Sequence, residues 1–126
     1  MKIALAQLNY HIGNFEANEL KVIDSIRKAK KLNADLVVFA ELAITGYPPR
    51  DFLEFDDFIN KCEDSIERIS KECVGIAAII GSPSKNPEIK GKDLYNSAYF
   101  LSEGKIMSQH HKSLLPNYDI FDEYRY

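Results

Sequence analysis

Residues 35–54 read DLVVFAELAITGYPPRDFLE. The first six, Asp35–Ala40, form an apolar run of strand length without polar alternation, which marks a strand covered on both faces. Glu41 then sets a carboxylate at the carboxyl end of that strand, and Thr45-Gly46, Tyr47, Pro48 and Pro49 stiffen the exit. In open α/β sheets the working residues lie just beyond the carboxyl ends of the strands, so Glu41 is the first candidate functional residue. A lone strand-end glutamate is more often a solvated side chain, and position alone does not make it catalytic.

Working outward, Met1–Asn9 is apolar on both alternations (Ile3 and Leu5; Ala4, Ala6 and Leu8) and reads as another buried strand. Between the two, Leu20, Ile23, Ile26 and Ala29 recur at threes from an Asn14 cap to Leu32. Lys28, Lys30 and Lys31 near the end suit the helix dipole. On the far side, Asp51–Lys71 reads as one helix with Phe55, Phe58, Ile59, Cys62, Ile66 and Ile69 on a stripe and Asp51 with Glu54 as a capping box. Val74–Gly81 is a third buried strand, and SPSKNPEIKGKD (82–93) reads as an exposed loop. Leu94–Leu101 and Lys105–Gln109 flank the turn Ser102-Glu103-Gly104 as a hairpin. The predicted order is β-α-β-α-β-β-β, an α/β fold.

The chain has 126 residues, 45% hydrophobic and 28% charged, which suits a globular unit of one domain at most. With 16 Lys plus Arg against 19 Asp plus Glu, the net charge of −3 supplies no positive field for nucleic acid or a membrane surface, and neither is expected as a partner. No apolar run approaches the roughly 20 residues of a membrane span, the start does not resemble a signal peptide, and a cytoplasmic location is expected. Cys62, on a helix stripe, and Cys73, before a strand, read as core thiols rather than nucleophiles. Adjacent His110 and His111 point to opposite faces of a strand, so no metal clamp is expected. No GxGxxG or GxxxxGK[ST] occurs, so the chain is not expected to hold a nucleotide by itself.

Lys112 is the second candidate. Alone it is an ordinary surface lysine, but a lysine beside a carboxylate stays cationic and can hold a developing oxyanion while the carboxylate takes a proton. After it, Leu114, Leu115, Tyr118, Ile120, Phe121, Tyr124 and Tyr126 have no later element to bury them, which predicts a piece of a longer chain.

AELAITGYPPRDFL (40–53) and HKSLLPNYDIFDEYRY (111–126) together resemble the Glu and Lys motifs of the nitrilase superfamily of carbon-nitrogen hydrolases. The PPRDFL continuation, the residues after Lys112 and the start KIALAQLNYHIGNFEAN (2–18) are similar to the N-terminal glutaminase domains of glutamine-dependent NAD synthetases, so the resemblance covers nearly the whole chain. It implies part of an α-β-β-α sandwich and a Glu-Lys-Cys triad. Glu41 would be the general base and Lys112 the oxyanion stabiliser; Tyr47 and Tyr118 would shape the glutamine pocket, and Glu123 would support Lys112. The resemblance further implies no cofactor for the glutaminase part, with ATP and Mg in a synthetase domain that amidates deamido-NAD, and a homo-oligomeric parent.

In that family the nucleophilic cysteine follows the lysine motif, beyond Tyr126. Residues 1–126 are therefore expected to lack the nucleophile and the synthetase domain, to be inactive alone, and to carry an exposed sheet edge or apolar face. Two other readings stay open at this level: part of a stand-alone nitrilase-like amidase or carbamoylase, or a non-catalytic α/β binding module.

Overall fold

The computed structural model describes residues 1–88 and 93–115. Its elements are β1 (Ile3–Leu5), α1 (Phe15–Lys31), β2 (Leu36–Val38), a 3-10 turn (Arg50–Glu54), α2 (Asp56–Ser70), β3 (Ala77–Lys85), β4 (Leu94–Ser102) and β5 (Lys105–His111). The five strands form one sheet in chain order, β1-β2-β3-β4-β5. The first two pairings are parallel and the last two antiparallel. Because β4 runs down and β5 up again, one end of the sheet collects the exit of β2, the start of β4 and the exit of β5. The predicted order of elements is the observed one.

Both helices cover a single face. Val37, Ala78 and Leu101 lie in register across β2, β3 and β4 and are fully buried there, against Val22, Ile26, Ile59, Cys62, Ile66 and Ile69 of the helices. Each large aliphatic side chain buried in this layer stabilises the fold by roughly 1.5–3 kcal/mol. Arg68 of α2 grips Glu19 of α1 at 2.8 Å and ties the helices together. On the other face Leu36, Val38, Ile79 and Phe100 are half-buried, and Ile3 and Leu5 are 51% and 73% exposed, so the expected open apolar face is present.

Helix α1 begins where expected, with the Asn14 side chain accepting from Ala17 N at 3.1 Å. Its buried stripe is rotated from the predicted one. Asn18, Val22, Ile26 and Ala29 face inward while Leu20 is exposed, since a polar residue, Asn18, takes a core position. The single helix expected over Asp51–Lys71 is broken. Phe55 is extended (φ −98°, ψ 121°) and caps α2 without a side-chain bond, so Asp51 and Glu54 form no capping box there. Instead Phe52 of the short turn stacks on Phe58 of α2 at 5.4 Å, and Asp56 and Asp57 bring negative charge to the first turn of α2.

Strand boundaries also move. β1 and β2 are three residues each rather than Met1–Asn9 and Asp35–Ala40, because the chain leaves the sheet for the loops that build the candidate site. β3 runs on through Ser82, Pro83, Ser84 and Lys85, which were expected in a loop. Pro83 is tolerated because β2 pairs only as far as Ile79, leaving that edge of β3 without a ladder needing its N–H. The hairpin turn is Glu103-Gly104, with φ 55° and 73°, the positive pair that a two-residue turn requires to match the strand twist.

Candidate active site

Glu41 is carried by a loop that folds back over β3. Phe39 N donates to Ile79 O at 2.9 Å, and the chain then crosses Gly81 so closely that a Cβ there would lie 2.4 Å from Leu42 N and 2.9 Å from the Glu41 Cα. Only glycine leaves room for that crossing. Buried Asn18 fixes the far side of the loop: its Nδ2 donates to His11 O at 2.8 Å and Ile44 O at 3.1 Å, and its Oδ1 accepts from His11 N at 2.9 Å. Gly13 N adds a bond to Thr45 O at 2.9 Å. Two loops leaving neighbouring strands are thus locked to the first helix, which explains the polar residue on its buried stripe.

Lys112 arrives from the other direction. His111 pairs with Ser97 across β4 and β5, and Lys112 N donates to Asn96 O at 2.8 Å. Beneath this, Ser84 Oγ and Ser97 Oγ are 2.7 Å apart, Gln109 Nε2 donates to Ser84 Oγ at 2.7 Å, and His111 Nδ1 lies 3.0 Å from Ser97 Oγ. Tyr95 stacks on His111 at 3.8 Å. This polar cluster fixes the register of the strands that present Asn96 and Lys112.

The two candidates meet. Lys112 Nζ is 2.7 Å from Glu41 Oε1, across 71 residues of sequence, and Asn96 Nδ2 donates to the same oxygen at 2.6 Å. The side chains of Lys112 and Glu41 are 31% and 47% exposed, so water screens the pair and its net worth to stability is at most about 1 kcal/mol. The contact is open to solvent rather than sealed into the core. It borders a cleft of about 350 Å³ on the open face of the sheet, lined by Phe39, Gly81, Ala98 and His110 as well. A second cleft, of about 460 Å³, is lined by Ile12, Pro48, Pro49 and Phe52 among others and lacks such a carboxylate-lysine pair.

Tyr47 is half-buried and is not among the described residues lining the Glu41 cleft. Tyr118 and Glu123 lie outside the described residues. His111 turns to Ser97 and Tyr95, and no group of three metal-ligating side chains occurs among the described residues. Burial pushes the Cys62 thiol up to about 12 despite a hydrogen bond from Ser82, and the Cys73 thiol up to about 11. Both are fully buried, as expected of core thiols, and neither is poised as a nucleophile. The sequence reading missed Asn96, Gly81 and Asn18. No local pattern marks Asn96; a glycine within a buried strand and an asparagine on an apolar stripe were signals available for the other two.

A carboxylate and an ammonium thus meet at the end of a mixed sheet, with helices on one face and an open apolar face on the other. The chain belongs to the carbon-nitrogen hydrolase family, whose sequence profile matches residues 2–125. Among its relatives is the glutamine-dependent NAD(+) synthetase of Xanthomonas campestris pv. campestris, 40% identical over 127 residues that take in 100% of this chain and 22% of that protein. Solved structures agree. The glutamine-dependent NAD(+) synthetase of Acinetobacter baumannii, solved with ADP, superposes with a TM-score of 0.89 at 36% identity over 98% of this chain and 23% of its own. That of Cytophaga hutchinsonii gives 0.90 at 26% identity over 98% and 20%. The chain therefore spans about a fifth of the length of the relatives it matches.

Proposed function

We infer that this chain is the first part of a glutaminase domain that hydrolyses the side-chain amide of glutamine and passes ammonia to an ATP-dependent synthetase amidating deamido-NAD to NAD. The observation that carries the reading is the Lys112 Nζ to Glu41 Oε1 contact at 2.7 Å. Glu41 takes the proton of a cysteine thiol, which at its ordinary pKa near 8.5 is mostly protonated at neutral pH, and the thiolate attacks the amide carbon. Lys112 stabilises the oxyanion of the tetrahedral intermediate. Glu41 returns the proton to the leaving nitrogen, the C–N bond breaks and ammonia departs. The same carboxylate then activates water to hydrolyse the thioester to glutamate.

Neither Cys62 nor Cys73 is that nucleophile, since both are sealed beneath the helices; a cysteine past Tyr126 completes the triad. Tyr47 and Tyr118 help shape the glutamine pocket, and Glu123 supports Lys112 and the substrate end of the site. ATP and Mg belong to the synthetase part, and the whole enzyme works as a cytoplasmic homo-oligomer.

The test is to express the reading frame through its stop codon and follow NAD formation from deamido-NAD and ATP with either glutamine or ammonium as nitrogen donor. Glu41→Gln is expected to lower the glutamine-dependent rate by about 10²–10⁴-fold while leaving the ammonium-dependent rate intact. Equal glutamine-dependent rates in the variant and the parent would refute Glu41 as the base, and an absence of NAD formation would refute the synthetase reading.

A further inference from the structure

Glu41 is gripped at one oxygen by two donors of different kinds. Lys112 Nζ and Asn96 Nδ2 reach Oε1 at 2.7 and 2.6 Å. An ammonium on a four-carbon stem carries three donors and can redirect them; a short amide side chain on a strand has far less freedom. Asn96 sits in β4 opposite Pro83 of β3, next to buried Ser97, whose hydroxyl is bonded to Ser84 and His111. Its own carbonyl accepts the Lys112 main-chain N–H at 2.8 Å. One residue therefore holds the lysine by its backbone and the glutamate by its side chain.

The glutaminase reading, on which this inference rests, asks Lys112 to turn its charge toward a substrate oxyanion. When Lys112 turns, Oε1 of the carboxylate gives up one of these two donors at the moment its orientation matters, and the Asn96 amide still holds that oxygen. We propose that Asn96 is a positioning residue of the amide-hydrolysing site, holding the Glu41 carboxylate in place while Lys112 Nζ engages the oxyanion. Asn96 gains and loses no proton: the thiol proton passes to Glu41 and on to the leaving nitrogen, while the Asn96 N–H to Oε1 bond persists and is strongest when Glu41 is anionic. An aspartate here would set a second carboxylate within about 3 Å of the first, where like charges oppose ionisation.

The test uses the full polypeptide encoded by the reading frame, with Asn96→Ala and Asn96→Asp compared with the parent in glutamine hydrolysis from about pH 5 to pH 9 and in crystal structures. Asn96→Ala is expected to lower kcat by about 10- to 100-fold, the equivalent of losing one hydrogen bond to a charged group, with KM changed by less than about 3-fold. The acidic limb of kcat/KM should also move to higher pH, because removing a donor from a carboxylate makes it harder to ionise. Asn96→Asp should move it further in the same direction. The titratable groups around Glu41 among the described residues lining the cleft are Lys112, His110 and His111, and all three remain in both variants.

An unchanged acidic limb in both variants, or an unchanged kcat, overturns the proposal, as does a fall in kcat explained wholly by a lower Tm. A parent enzyme without glutaminase activity refutes the functional reading instead. In that case the crystal structures decide Asn96: a Glu41 carboxylate displaced in Asn96→Ala supports the anchor, and one that has not moved overturns it.

Discussion

Replacing Gly81 by alanine tests how Glu41 is placed. The added Cβ would lie 2.4 Å from Leu42 N and 2.9 Å from both Ala40 O and the Glu41 Cα. All three are backbone atoms, so no side chain can swing aside. Ordinary van der Waals separation is near 3.5 Å, and the loop must rise from β3 by about 1 Å. That movement strains the Ile44 N to Gly81 O bond, already 3.4 Å long, and lifts Glu41 from its partners. Overpacking of this size costs about 1–3 kcal/mol, and a 1 Å displacement of a catalytic group costs on the order of 10²-fold in rate. The control is Gly75→Ala. Nothing lies within 4 Å of a Cβ there, but its φ of 78° strains any other residue. It should lose about 1–2 kcal/mol with no change in turnover per folded molecule. Urea unfolding and glutaminase rates of the full polypeptide would be measured for both variants. A Gly81→Ala enzyme with parental kcat and stability would refute the crossing geometry.

Two further outcomes follow from buried groups. Asn18→Ala removes the partner of His11 N, His11 O and Ile44 O in one step and should cost about 2–4 kcal/mol in urea unfolding, whereas an exposed change such as Leu20→Ala should cost well under 1 kcal/mol. The two thiols ionise only near 12 and 11 in the fold but near 9 when unfolded, so their contribution to stability is complete below about pH 9 and declines as pH rises above it. The slope approaches about 1.4 kcal/mol per pH unit for each thiol, and Cys73→Ala should flatten it; equal slopes with and without Cys73 would contradict the assignment.

The sequence was most legible where burial is two-sided or amphipathic. The apolar runs at Leu36–Val38 and Ala77–Ile80, the Asn14 cap and the Glu103-Gly104 turn each act through near neighbours, and each predicted element formed. What failed was governed by contacts distant in sequence. β2 ends at Val38 although Phe39 and Ala40 are apolar, because Phe39 N and the chain beyond it are claimed by β3. The helix predicted from Asp51 starts late because Phe52 finds Phe58. Glu41 and Lys112 were identifiable through strand-end position and motif, yet their meeting, and the arrival of Asn96 at the same carboxylate oxygen, depends on β4 pairing antiparallel with β3, which no local pattern announces.

The order of the strands in the sheet, identical to their order along the chain, has a consequence for biosynthesis. Each new strand leaving a ribosome finds its neighbour already made, so the sheet can grow by addition at one edge without rearrangement. The Glu41–Lys112 pair is the exception. Glu41 must wait 71 residues for Lys112, about 4–14 s at ordinary rates of translation. Assembly of most of the sheet thus precedes assembly of the Glu41–Lys112 pair, which forms only once the last described strand is in place.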